Sequence, residues 1–341
     1  MLRDTLRKAA AGQALTEGEA ERALETIMEG TVAPVATAAL LTALRVKGEA
    51  VPEIVGFTRA MRRFAARVEA PDGVVDTCGT GGDAKGTINV STAAAFVARG
   101  AGVLVAKHGN RAATSQAGSA DVLEALGAKI DLAPEEVSRC IAEAGIGFMF
   151  ARTHHPAMRF VAPVRAELPF RTVFNLLGPL TNPAGARRQL VGVFGGAYVR
   201  PVAEALRDLG AEKALVVHGA DGMDEITVTD TTLVADVMDG EIAEYEISPE
   251  AFGLARHAPD GLLGGDAHLN ARILRDVLAG EERGAARDVV LLNAGAAIHV
   301  SGRARTIEEG VRLAETSISG GAASKALEDF VKVTRRLSGT V

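Results

Sequence analysis

Tryptophan is absent from the 341 residues, tyrosine occurs twice, and aromatic residues make up 4% of the chain. So few rings leave little on which the bases of a single strand could stack. There are two cysteines, Cys78 and Cys140, and no Cys-x-x-Cys pair. That excludes a disulfide framework and points to a reducing compartment. Basic residues are not in excess: 37 Lys and Arg face 43 Asp and Glu, a net charge of −6. The broad positive field of a duplex-DNA binder is therefore missing, although a local pocket for a small anion is not excluded. Apolar stretches are broken by charge or glycine well before membrane-spanning length. The opening Met1-Leu2-Arg3-Asp4 carries an acid early and leads into no apolar signal core. The expectation is a soluble cytoplasmic protein with neither a membrane nor a nucleic-acid partner.

What the chain does have is glycine, 38 residues of it, and a 48% share of hydrophobic residues. Such a chain can bury a large core divided over two or three packed subdomains. Residues 1–70 read as four short helices. Thr16 and Glu19 form a capping box, and Ala20, Leu24, Ile27 and Met28 then share one face. Gly30 and Gly48 stand at C-terminal caps. A third helix uses Leu40, Leu41 and Leu44, and a fourth uses Ile54, Met61, Phe64 and Val68. Pro71 and Gly73 close this run. From Val74 onward, short β-branched runs alternate with helical patterns: strands at 74–76, 103–106, 146–150, 190–194 and 214–217, with helices between them. That rhythm predicts an α/β fold with a mostly parallel central sheet and helices on both faces. Asp239-Gly240 interrupts it with a hairpin signal, and helices return around 266–279, 307–317 and 322–337.

Four loops carry chemistry. Asp76-Thr77-Cys78-Gly79-Thr80-Gly81-Gly82-Asp83, continuing through Thr87, Asn89, Val90, Ser91 and Thr92, follows a strand and opens a helix. Glycines let backbone N–H groups approach an anion, and the helix start adds unpaired donors. The spacing is neither the dinucleotide-binding nor the Walker pattern. A tight structural turn with Ser91 as a plain N-cap is the alternative. Lys107-His108-Gly109-Asn110-Arg111, backed by Thr114, Ser115 and Ser119, follows the next strand. It would bring Lys107 and Arg111 as charge and Ser115 and Ser119 as hydroxyls around a pyrophosphate, or be a solvated loop. Asp221, Asp224 and Glu225 follow a later strand and suit Mg²⁺ shared with substrate phosphates; read alone, they are an acidic surface turn. His154-His155-Pro156, Arg165 and Asn175–Pro183 form a proline-dense stretch. Adjacent histidines with no further His or Cys at useful spacing do not make a zinc site, and these segments read as rigid connectors.

Taken in order, Asp76–Thr92, Lys107–Ser119, His155–Asn182 and Asp221–Glu225 closely resemble the anthranilate phosphoribosyltransferase family. So do Leu262–Asp266, Asn270-Ala271 and Leu292–Gly295. The resemblance spans nearly the whole chain. It implies a small helical domain, residues 1–71 completed by about 165–185, beside a large α/β domain, 72–341. It implies a homodimer that joins phosphoribosyl pyrophosphate to the amine of anthranilate and releases pyrophosphate, a step of tryptophan biosynthesis, with two Mg²⁺ ions. By matching position, Gly79, Gly82, Asp83, Thr87, Asn89, Val90, Ser91, Thr92, Lys107 and Ser119 would hold phosphoribosyl pyrophosphate. Lys107 and Asp83 would act electrostatically, with no acid–base pair. Ser91, Asp224 and Glu225 would meet the metal. His108, Asn110, His155 and Arg165 would face anthranilate, with Gly178 and Pro179 at its way in. One departure is visible: the family continues after Arg165 with a second basic residue and Glu-Leu-Gly, whereas this chain reads Ala166-Glu167-Leu168-Pro169-Phe170. A pyrimidine nucleoside phosphorylase shares the glycine loop, and nucleic-acid-binding relatives share the fold. The Lys107–Arg111 block, Asp224-Glu225 and the net charge argue against both.

Overall fold

A computed structural model describes residues 2–82, 85–112 and 116–339. The chain opens with four helices, α1 (Leu2–Ala10), α2 (Glu17–Met28), α3 (Pro34–Lys47) and α4 (Val51–Phe64). The Thr16–Glu19 box caps α2 in both directions. Glu53 anchors the bundle from within. Fully buried, it accepts hydrogen bonds from the Leu15 and Ala50 amides, at 2.8 and 2.7 Å, and pairs with Lys47 at 2.8 Å. Two linkers are thereby tied to α4 by one satisfied carboxylate. Val68, expected on the fourth helix, lies beyond its end. It packs with Val74, Ala106 and Leu132 in a small separate cluster.

The α/β part runs β1 (Val75–Gly79), α5 (Val90–Gly100), β2 (Val105–Gly109), α6 (Ser119–Ala125), α7 (Pro134–Ala144) and β3 (Ile146–Phe150). Short helices α8 (Ala151–His154), α9 (Ala162–Glu167) and α10 (Phe174–Leu180) follow, where the sequence suggested only connectors. Then come β4 (Arg188–Gly192), α11 (Val199–Asp208), β5 (Lys213–Gly219), β6 (Thr232–Met238), β7 (Glu241–Ile247) and helices α12 (Ala267–Ala279), α13 (Ala285–Val300), α14 (Ile307–Ser319) and α15 (Ala322–Leu337). Between β6 and β7, Asp239 and Gly240 both take positive φ, 53° and 82°, as the two-residue hairpin requires.

The sheet order is β3-β2-β1-β4-β5-β6-β7. Pairing is parallel from β3 through β5 and antiparallel from β5 to β7. Alternate side chains divide between two cores, as strand geometry dictates. Leu215 and Val217 face a core built with α5, α6 and α12 to α15. Ala214 and Val216 face one shared with the N-terminal helices, α10 and α11. Phe96 and Phe330 lock α5 to α15 edge to face, with centroids 5.6 Å apart.

One long helix has no counterpart in the sequence reading. Every residue of α13 except Arg287 is buried. A helix that is buried on all sides shows no clear stripe from which its period can be read.

Candidate active site

Strands β2 and β4 flank β1 on opposite sides, so the chain leaves β1 at a point where the winding direction reverses. Ligands in open α/β sheets bind outside the strand ends at such a point. The glycine loop lies there. A Cβ on Gly79, at the end of β1, would stand 2.3 Å from the Asp224 Oδ2, and one on Gly192, at the end of β4, would stand 1.5 Å from the Asp224 carbonyl oxygen. Two glycines thus let the acidic loop after β5 seat itself on the sheet. Asp224 Oδ2 then accepts a hydrogen bond of 2.7 Å from the Gly81 amide. Gly81 and Gly82 both have positive φ, 68° and 77°, which only glycine adopts freely. Asp221 holds the acidic loop in shape. It accepts from the Met223 amide and from the hydroxyls of Thr227 and Thr229. Asn293 of α13 clamps the peptide after Glu225, accepting from the Ile226 amide at 3.1 Å and donating to its carbonyl at 2.7 Å.

Lys107 is buried at the centre. Its Nζ donates to the Thr77 carbonyl at 2.5 Å and to the Ser91 hydroxyl at 3.2 Å. Desolvation pulls its pKa down, opposed by the carboxylates of Asp76 and Glu225. Asp76 is its fully buried counterpart, and burial pushes that carboxyl up against the pull of Lys107. It accepts from the His108 amide at 3.0 Å and from Asn182 at 2.7 Å. The charge on each of these groups depends on the other, since a lone buried charge is far more costly than a paired one.

Asn89, rather than Ser91, precedes the first residue of α5, Val90. Ser91 lies in the first turn, so the plain N-cap alternative does not hold. Asn89 is itself gripped by the Ala117 carbonyl at 3.1 Å and by Asn270 at 2.9 Å. Thr92 donates to the Ser119 hydroxyl at 3.0 Å, which joins the starts of α5 and α6. Thr87 bridges Leu263. Asp83, Thr114 and Ser115 lie outside the described residues. Arg111 lies at the edge of this cluster. Its guanidinium pairs with Asp121 at 2.8 Å and with Glu124 at 2.5 Å on α6, and is exposed. In this arrangement its guanidinium faces α6. Asn110 likewise turns its Oδ1 back to the Arg111 amide at 2.8 Å.

The other half of the site is built around two imidazoles. His108 Nδ1 lies 3.1 Å from the Gly178 carbonyl, and His108 Nε2 lies 3.2 Å from His155 Nε2. A carbonyl only accepts, so His108 carries its proton on Nδ1 and His155 donates from Nε2. Burial drives His108 well below the ordinary range and His155 down to about 4, with each helped by a neighbouring imidazole. Both are therefore neutral near pH 7. A Cβ on Gly178 would meet open space. The Pro179 carbonyl accepts from Gln189 at 2.7 Å. Arg165, half-buried on α9, lies over the Phe174 ring at 5.4 Å and has no carboxylate partner among the described residues. Desolvation lowers its pKa. The sequence reading passed over Arg171 entirely. This residue lies over the Phe194 ring at 4.2 Å and donates to the Gly82 carbonyl.

A helical bundle beside a doubly wound sheet, with a glycine loop at the switch point, defines a two-part class of glycosyl transferases. The pattern of the glycosyl transferase family helical bundle domain matches residues 3–65, and that of the glycosyl transferase family a/b domain matches residues 71–324. The chain is 82% identical to the anthranilate phosphoribosyltransferase of Rubrobacter xylanophilus over 99% of each chain. The crystal structure of anthranilate phosphoribosyltransferase from Thermus thermophilus is similar at a TM-score of 0.93 and 48% identity, covering 97% of this chain and 99% of that one. The Saccharomyces cerevisiae anthranilate phosphoribosyltransferase, solved in complex with PRPP and Mg, is similar at 0.91 and 28% identity over 98% of each chain. That yeast protein has also been solved with 4-fluoroanthranilate. This chain belongs to the anthranilate phosphoribosyltransferase family.

Proposed function

We propose that the chain transfers the 5-phosphoribosyl group of phosphoribosyl pyrophosphate to the amine of anthranilate and releases pyrophosphate, in tryptophan biosynthesis. The observation that carries this reading is the division of the site. A glycine loop, a buried lysine and a carboxylate face one half, and a neutral imidazole pair faces the other.

Departure of pyrophosphate develops negative charge while the ribosyl carbon passes through an oxocarbenium-like state. The glycine loop and the first turn of α5 lie together at the end of β1, and Lys107 is held beside them by Thr77 and Ser91. Donors fixed in advance in a dry site are worth more than donors in water. The residues set out for Mg²⁺ fit it in kind: Ser91, Asp224 and Glu225 are hard oxygen donors, and glycines 79 and 192 leave room for the Asp224 loop. When bound, Mg²⁺ would neutralise the diphosphate. Two ions are the reading for this pair of carboxylates. Gly79, Gly82, Asp83, Thr87, Asn89, Val90, Thr92, Ser115 and Ser119 complete the phosphoribosyl pyrophosphate side.

On the acceptor side, Arg165 supplies an unspent, desolvated guanidinium for the anthranilate carboxylate. His108, His155, Asn110, Gly178 and Pro179 border the ring. An aromatic amine is neutral at working pH, so positioning suffices and no general base is required. Residues 1–71 with about 165–185 act as one domain closing over 72–341. The grouping of 1–71 with 165–185 is supported by the core that α1 to α4 share with Val164, Phe174 and Leu177, a core that also takes in Val202 and Val216 of the large domain.

A homodimer is supported by Val35 and Val46 on α3, 76% and 83% exposed on the same helix. Light scattering at the mass of two chains checks it, and a one-chain mass overturns it. No described helix is long and apolar enough to cross a membrane, in keeping with a cytoplasmic enzyme. The deciding assay is loss of anthranilate fluorescence on adding phosphoribosyl pyrophosphate and Mg²⁺. Unchanged fluorescence, with turnover of a nucleoside and phosphate instead, would reverse the assignment.

A further inference from the structure

Arg171 belongs to the proline-dense connector, yet its side chain reaches the glycine loop 89 residues earlier in the chain. Its guanidinium donates to the Gly82 carbonyl and stacks on Phe194 at 4.2 Å. Phe194, just beyond β4, is fixed to the same loop by its own amide, which donates to the Thr80 hydroxyl at 3.0 Å. The Thr80 amide in turn donates to the Gly192 carbonyl at 2.9 Å. Phe194 also meets Tyr198 edge to face, with centroids 4.9 Å apart. The Tyr198 hydroxyl accepts from Arg45 at 3.0 Å and donates to Glu49 at 3.5 Å. Arg45 is on α3 and Glu49 on the turn behind it. A continuous chain of contacts therefore runs from the helical bundle through Tyr198, Phe194 and Arg171 to Gly82.

The glycine loop is gripped on two sides. Asp224 holds the amide of Gly81, and Arg171 holds the carbonyl of Gly82. Both glycines have positive φ, so the peptide between them has the widest conformational freedom in the loop and the most to gain from fixed partners. We infer that Arg171 is a positioning residue that sets the glycine loop for the diphosphate of phosphoribosyl pyrophosphate and couples that loop to the helical domain. The inference rests on the phosphoribosyl pyrophosphate reading above. A guanidinium is needed rather than an ammonium, because the residue must stack on a ring and donate in the plane of that stack at once.

The test uses Mg²⁺-pyrophosphate as the probe, titrated calorimetrically into the full chain and into Arg171→Met, Arg171→Lys and Tyr198→Phe. Loss of a charge-assisted contact corresponds to roughly 10- to 100-fold in affinity. That is the weakening expected for Arg171→Met. Arg171→Lys is expected to recover only part of it, and Tyr198→Phe to show a smaller effect of the same sign. In turnover, the KM for phosphoribosyl pyrophosphate should rise far more than kcat falls, with the KM for anthranilate and Tm nearly unmoved. A purely structural role would lower Tm and shift all kinetic constants together, and that pattern overturns the inference. Equal pyrophosphate affinity in the unchanged chain and Arg171→Met overturns it alone. No pyrophosphate binding by the unchanged chain overturns the phosphoribosyl pyrophosphate reading with it.

Discussion

The two halves of the site hold their polar groups in opposite ways. Around the glycine loop, charge is buried and matched: Lys107 against Asp76, with Asp224 on the Gly81 amide. Around Gly178, ionisable groups are kept neutral or unmatched: two imidazoles share a proton chain, and Arg165 has only an aromatic ring. The contrast follows from what each half is proposed to meet. A diphosphate brings charge that grows during the reaction, so its half must hold compensating charge in place beforehand. A neutral aromatic amine would gain nothing from a charged imidazole, and its carboxylate needs one cation without a prior partner.

The comparison breaks most visibly if the matched half tolerates loss of a charge. Asp224→Ala removes both the carboxylate proposed for Mg²⁺ and the partner of the Gly81 amide. The expected loss in kcat is about 100- to 1000-fold, the range for removing a fixed electrostatic group, accompanied by a higher Mg²⁺ requirement. Steady-state kinetics across a Mg²⁺ series would show it, and wild-type-like turnover at limiting Mg²⁺ would refute the assignment. Arg165→Ala probes the unmatched half and should act more mildly. Losing one charge-assisted contact of about 1.5–3 kcal/mol raises the KM for anthranilate by roughly 10- to 100-fold, and leaves the KM for phosphoribosyl pyrophosphate in place. If the phosphoribosyl pyrophosphate KM moved instead, Arg165 would belong to the other half.

The same contrast marks how far the sequence could be read. Features governed by local geometry were legible: the Thr16–Glu19 cap, the Asp239-Gly240 turn and the glycine run after β1 each depend on a few neighbouring residues. Strand edges drifted by two or three residues, as at β2 and β4, because the β-branched run that marks a strand does not coincide with the residues that pair. Helix α13 was invisible, since a stripe needs a polar side to contrast with and α13 has almost none. The Arg111 ion pairs were in view but unread: Asp121 and Glu124 lie three residues apart and so share one face of α6. Arg171 and the Asp76–Asn182 contact join residues 89 and 106 positions apart. No local rule reports such meetings; only the reversal at β1 brings them together.

The smallest of the expected effects tests the neutral half through stability rather than rate. His155 has its folded pKa lowered to about 4 by burial, against an ordinary value near 6.5 in the unfolded chain. Between those values the unfolded chain binds the proton and the native chain does not. Native stability is therefore complete above about pH 6.5 and falls as pH drops toward 4. From pH 7 to 5, His155 alone should account for a loss of about 2 kcal/mol, at 1.36 kcal/mol per pKa unit. His108, shifted the same way, adds to it. His155→Gln keeps a neutral donor toward His108 Nε2 but cannot titrate, so its denaturant midpoint should fall less between pH 7 and 5 than that of the unchanged chain. If His155→Gln shows the full acid loss, the imidazoles are not held neutral by burial, and the division between the two halves rests on Arg165 alone.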